Sequence, residues 1–131
     1  MRTRAWDHHA VLAGASFTLV RPDGTVVCES CRLAATFMTR LRGLVGRKAL
    51  ASGEGLLLRP APSIHTFFMR FPIDVVFLDR SGVVRKLVPN LRPWRVAFAG
   101  GRSDALELGA GEAAAQRLRP GDRLELRPSP S

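Results

Sequence analysis

The sequence has no tyrosine, two cysteines and two lysines, Lys48 and Lys86, among its 131 residues. No apolar run approaches the roughly 18 residues of a membrane span, so a transmembrane helix is not expected. Acid is also scarce, with eleven Asp+Glu against twenty Lys+Arg and a formal net charge of +9. What the chain does have is apolar mass. With 46% of its residues hydrophobic it builds a core without help from disulfides, which excludes a disordered tail or a cystine-stapled miniprotein. Its length suits one domain over residues 1–131.

Eighteen of the twenty basic residues are arginine, and the excess is spread along the chain. Two stretches carry no acid: one holds Arg32, Arg40, Arg42, Arg47 and Lys48, the other Arg80, Arg85, Lys86, Arg92, Arg95 and Arg102. Such surfaces attract polyanions. Single-strand binders also need exposed aromatics, and the aromatics here fall mostly inside apolar runs. A solvated, arginine-rich surface is therefore favoured over a nucleic-acid face, which stays an alternative.

Arg2 and Arg4 precede the apolar stretch Ala10–Val20, but Asp7, His8 and His9 interrupt the approach to it. The stretch reads better as an arm over 1–15 followed by a strand than as a signal peptide. A cytoplasmic setting is the corresponding expectation. Cys28 and Cys31 form a lone C-x-x-C. A zinc site takes about four ligands, and a redox pair opens a helix within a βαβ pattern, so two ordinary thiols and no metal are the leading reading. No cofactor motif is present.

Strand and turn signals alternate along the rest of the chain. Phe17–Val20 and Thr25–Cys28 flank Asp23-Gly24, a tight-turn pair. Ala34–Arg42 reads as a helix with Leu33, Phe37 and Leu41 on one face. Strands follow at Leu56–Leu58, Ile64–Met69 and Ile73–Leu78. Asp79–Gly82 predicts a hairpin to Val83–Val88, and Arg95–Phe98, Ala105–Leu108 and Arg123–Arg127 are further short strands. Gly111–Leu118 is a second helical candidate, and residues 128–131 should fray. The expected fold is α+β and mostly β: a compact antiparallel sheet or small barrel with two short helices.

Chemistry concentrates in the middle. Strand alternation places Asp74 with Val76 and Leu78, a carboxylate that must be paired or hydrogen-bonded if the face is buried. An arginine, or backbone N–H groups of the Arg70–Pro72 turn, should hold it. His65, Met69 and Arg70 lie within the same short span, Glu107 sits between Leu106 and Leu108, and Arg40 and Arg47 are counter-ion candidates. Together these seven residues form the candidate ligand-binding set: an imidazole for proton exchange, guanidinium forks for an anion, and two carboxylates.

The run Arg40-Leu41-Arg42-Gly43-Leu44-Val45-Gly46-Arg47, then Gly55-Leu56-Leu57, the stretch Ser63 to Asp79 with His65-Thr66-Phe67-Phe68-Met69-Arg70-Phe71-Pro72-Ile73-Asp74 at its centre, Leu106-Glu107-Leu108-Gly109-Ala110-Gly111 and Gly121-Asp122 occur in order. This set resembles domain-of-unknown-function family 192, across roughly residues 17–127. The resemblance implies a small fold dominated by a β-barrel-like sheet and implies no activity. Where the family often has Trp before Met and Lys-Asn after it, this chain has Phe68, Arg70 and Phe71.

Three functions remain open. The leading one is a non-catalytic binding module for a small anionic molecule. A hydrolase or lyase would use His65 with Asp74 or Glu107 as acid and base, although no nucleophile elbow, phosphate loop or metal-spaced ligand set is present. A nucleic-acid-associated protein would bind through the arginine-rich segments.

Overall fold

A computed structural model describes residues 16–34 and 49–128. Nine strands are found there: β1 (Ser16–Val20), β2 (Val26–Ala34), β3 (Glu54–Leu58), β4 (Ser63–His65), β5 (Ile73–Leu78), β6 (Val84–Leu91), β7 (Val96–Phe98), β8 (Asp104–Gly109) and β9 (Glu125–Pro128). The helix α1 (Glu112–Ala115) is the single helix among the described residues. Seven strands form one sheet in the order β6-β5-β8-β3-β2-β1-β9, and β4 and β7 form a separate ribbon.

The α+β, mostly β class therefore holds, with three corrections. Gly111–Leu118 shortens to four helical residues, because Arg117 enters the left-handed region (φ 56°) and ends the turn. The other expected helix, 34–42, lies outside the described residues except at Ala34, which ends β2. The sheet does not close into a barrel. Its edges β6 and β9 approach at one corner through the Val83–Arg123 bridge, but no ladder joins them. Nor is every pairing antiparallel: β2 and β3 run parallel, Ser30 opposite Glu54 through Ala34 opposite Leu58.

The predicted hairpin is present. Asp79 accepts hydrogen bonds from the Ser81 and Val83 N–H groups (2.7 and 3.1 Å). Gly82 takes the positive φ (86°) that closes the turn, and β5 pairs with β6 from Leu78–Val84 back to Ile73–Leu91. Strand β6 runs on past the expected Val88 and through Pro89 to Leu91, because Pro is tolerated on an edge strand.

All six residues of β5 are buried. One face of the main sheet carries Phe17, Leu19, Leu57, Val76, Leu78, Leu106 and Leu108, and Leu124 joins the same buried cluster. The other carries Ile73, Val75 and Phe77, covered by Ile64 and Ala97 of the β4–β7 ribbon together with Met69 and Phe71. A central strand buried on both sides has to read as apolar throughout, as β5 does apart from Asp74. None of the described helices is long and apolar enough to cross a membrane.

Candidate functional site

Asp74 is 1% exposed. Its Oδ1 accepts the Asn90 N–H (2.9 Å), and its Oδ2 accepts those of Gly111 (3.1 Å) and Ala113 (2.9 Å). The donors are backbone groups, as expected, but of a different origin. They come from the end of β6 and the turn into α1, not from an arginine or from the Arg70–Pro72 turn. Arg70 itself is exposed. The carboxylate thus fastens two segments to the centre of the sheet and has little capacity left for a ligand.

Glu107 is fully buried in β8 and faces the other way. Antiparallel partners share a face. Asp74 stands opposite Leu108 and Val75 opposite Glu107, so the two carboxylates lie on opposite sides of the sheet. Glu107 shares its side with Leu56, Val75 and the buried Met69. His65 is half-buried at the end of β4, above that same face. The structure therefore brings His65, Met69 and Glu107 to one side of the sheet, sends Asp74 to the other and leaves Arg70 at the surface. Arg40 and Arg47 lie outside the described residues.

An open cleft of about 380 Å³ adjoins His65, lined by Leu58, Pro60, Ala61, Pro62, Ser63, Ile64 and His65. Its walls are largely apolar. The more distinctive surface lies beyond it, where His65 begins a row of rings. His65 stacks on Phe67 (centroids 4.6 Å apart), Phe67 on Trp94 (5.7 Å), and Phe68 leans on Trp94 (4.9 Å). Phe68 and Trp94 are 59% and 56% exposed, and both have positive φ, 69° and 63°. A bulky residue in that region costs of order 1 kcal/mol or more. Here the cost is met by residues that leave their rings in solvent.

Thr66 holds the arrangement. It is fully buried between the two turns. Its hydroxyl donates to the Arg92 carbonyl (2.5 Å) and accepts the Arg95 N–H (2.9 Å). Its own N–H donates to the Arg95 carbonyl (2.9 Å), and its carbonyl accepts the Trp94 N–H (3.0 Å) and the Met69 N–H (3.2 Å). Phe67 N–H donates to His65 Nδ1 (3.3 Å), which fixes the imidazole at the head of the row.

The ribbon extends the surface. Its inward residues are Ile64 and Ala97, so its outward residues are Ser63 opposite Phe98 and His65 opposite Val96. Phe98 is 64% exposed and Lys86 lies over it, 5.5 Å from the ring centre. Residues 60–73 and 80–103, which build or border this surface, contain seven Arg and Lys and no Asp or Glu, while Arg59 just before them is paired with Asp104 (3.1 Å). Sequence reasoning had the second acid-free segment but took its aromatics as core. The available signal was Trp94 after Pro93 and between two arginines, a turn composition and not a core one.

Cys28 and Cys31 are free, buried thiols. Plain alternation would send residues three apart to opposite faces. A bulge between the Leu19–Cys28 and Phe17–Cys31 pairs turns both inward. Burial pushes the Cys31 thiol well above its ordinary range, and the hydrogen-bonding Cys28 acts in the same direction. This is the reverse of the activated thiolate of a redox centre. Among the described residues no three or more His, Cys, Asp and Glu gather as a metal site would require.

A family model described as an uncharacterised ACR, domain-of-unknown-function family 192, matches residues 18–126. A UPF0127 protein of Pyrococcus horikoshii is 40% identical over 75 residues, which cover 55% of this chain and 64% of that protein. A UPF0127 protein of Thermococcus sibiricus is 38% identical over 79 residues, 57% of this chain and 51% of that one. The matched part thus spans less than two-thirds of either relative. Among crystal structures, one from Sinorhizobium meliloti described as a candidate transcription regulator superposes with a TM-score of 0.72 at 25% identity, covering 88% of this chain and 96% of that one. Another, of unknown function from Novosphingobium aromaticivorans, gives 0.68 at 24% identity over 95% and 98% and shows the same fold.

Proposed function

Since the chain belongs to domain-of-unknown-function family 192, described only as uncharacterised, its role has to be argued from its own surface, and we propose that it is a non-catalytic binding module for an anionic ligand. The observation that carries this reading is the row His65, Phe67, Trp94 and Phe68, clamped by Thr66 and borne on segments without acidic residues. Rings kept in solvent by strained backbone are a feature of binding surfaces. The fixed arrangement also lowers the ordering cost of binding.

The hydrolase or lyase alternative needs an imidazole and a carboxylate converging on one point. Asp74 is on the far side of the sheet with three backbone donors, and Glu107, on the side of His65, is fully buried within β8 with no exposure to a substrate. His65 Nδ1 is engaged by the Phe67 N–H. Binding is therefore the better supported reading, in the cytoplasmic setting expected from the sequence. The fold likeness to a candidate transcription regulator is compatible with a polyanionic ligand.

The test is a thermal-shift screen of phosphates, carboxylates and nucleotides on the parent chain and on Trp94→Ala. A ligand at about one hundred times its Kd adds about 2.7 kcal/mol, a rise of roughly 5 °C or more in Tm for a chain of this size. The parent should show that rise with at least one aromatic anion, and Trp94→Ala should lose it. A screen in which no anion moves Tm, or in which Trp94→Ala responds like the parent, would overturn the proposal.

A further inference from the structure

We infer that the ligand of this surface is single-stranded nucleic acid, its bases stacked on the exposed rings and its phosphates drawn to the arginines beside them. The inference rests on the binding-module reading and names its ligand class.

The shape of the site points this way. The rings do not enclose a pocket. They follow the outward face of the β4–β7 ribbon from Phe98 and Val96 to His65, and continue over the two turns as Phe67, Trp94 and Phe68. Phe68, Trp94, Val96 and Phe98 are all more than half exposed. An open, elongated face of planar groups suits an extended ligand that carries planar groups at intervals. Exposed aromatics on a β-surface are the usual platform for unpaired bases, and they tolerate any sequence because every base has a π-face.

Charge selects the same ligand. Arg92 and Arg95 bracket Trp94, Arg70 follows the Phe67–Phe68 turn, and Lys86 sits over Phe98. Arg70, Arg92 and Arg95 are exposed, and no acidic residue occurs in either segment to neutralise them. Cations interleaved with rings match a chain of phosphates interleaved with bases. A duplex matches less well, since its bases are stacked on each other and offer only their edges in the grooves. An anionic membrane would use the same residues by inserting the rings, so it forms a separate arm of the test.

The experiment is fluorescence anisotropy with the full chain and a labelled oligouridylate of about twelve nucleotides, a length within the site sizes of such surfaces. The parallel probes are the deoxy counterpart, a duplex of equal length, uridine monophosphate, and phosphatidylglycerol–phosphatidylcholine vesicles. The single strands should bind more tightly than the duplex, with log Kd rising linearly in log salt concentration. Trp94→Ala and Phe68→Ala should each weaken the oligonucleotide about ten-fold or more. Arg127→Gln, which removes one charge from the edge strand β9, should change it less than two-fold. Circular dichroism confirms that each variant is folded.

Equal binding of duplex and single strand, or binding unaffected by both ring substitutions, would overturn the inference. Capture by vesicles but not by oligonucleotide would overturn it in favour of a membrane surface. Binding of the monophosphate with no gain for the oligonucleotide would overturn it while leaving the binding-module reading intact. Binding of none of these probes, together with a blank thermal-shift screen, would remove both.

Discussion

Asp74 illustrates what a single buried carboxylate can do. Removing a charge from water is costly unless its lone pairs are satisfied, and three backbone N–H groups satisfy them here. Asp74→Asn keeps the size but turns an amide NH2 toward at least one of those donors. We expect a loss of about 3 kcal/mol in urea denaturation, consistent with breaking a buried charged interaction. A loss under about 1 kcal/mol would mean that the carboxylate does not brace these segments. Cys31 gives a second prediction, in pH. Its folded pKa lies above its unfolded one, so its contribution is fully present below about pH 8.5 and is lost as the pH rises above that, by up to about 1.4 kcal/mol per pH unit. With no tyrosine and only two lysines, few other side chains titrate there. Denaturation midpoints between pH 8 and 10 should fall more steeply for the parent than for Cys31→Ala, and parallel slopes would contradict this. The burial of Asp74 was legible from its neighbours in β5. Its partners were not, because Asn90, Gly111 and Ala113 come from segments that only the fold brings together.

At the level of elements, the ring-bearing turns depend on Thr66. Its hydroxyl bridges the Arg92 carbonyl and the Arg95 N–H, so it sets the distance between the turn at 66–69 and the turn at 92–95. Thr66→Val preserves shape and leaves those two backbone groups without it. A loss of about 1–3 kcal/mol is expected. The near-ultraviolet signal of Trp94 should weaken as well, because its packing on Phe67 and Phe68 loosens. An unchanged spectrum would show that the rings hold themselves in place. The strand predicted over Ile64–Met69 stops at His65 for the same reason. Apolar alternation continues through Phe67 and Met69, but Thr66 satisfies its backbone groups with the second turn and the chain bends there. The bulge in β2 is comparable: the spacing of Cys28 and Cys31 suggested either a motif or nothing, and an inserted residue made both of them core.

For the whole molecule, the layering of the sheet sets where stability lies. Strand β5 is buried along its length and hydrogen-bonded on both sides, to β6 and β8. The β4–β7 ribbon has three residues per strand and one exposed face. In native-state hydrogen exchange the amides of β5 and β8 should be the slowest, reporting global unfolding, while those of β4 and β7 exchange through smaller openings. Equal protection across the ribbon and β5 would contradict that order. The amino-acid pattern by itself determined the β-rich class, the Asp79–Gly82 hairpin, the doubly buried central strand and the family, because these depend on side-chain period, turn chemistry and ordered motifs. Tertiary structure alone decided that Asp74 and Glu107 diverge, that the sheet stays open and that Phe68, Trp94 and Phe98 face solvent. Each of those outcomes is a matter of register or of which face another segment covers, and a strand's sequence is the same whichever side its neighbours take.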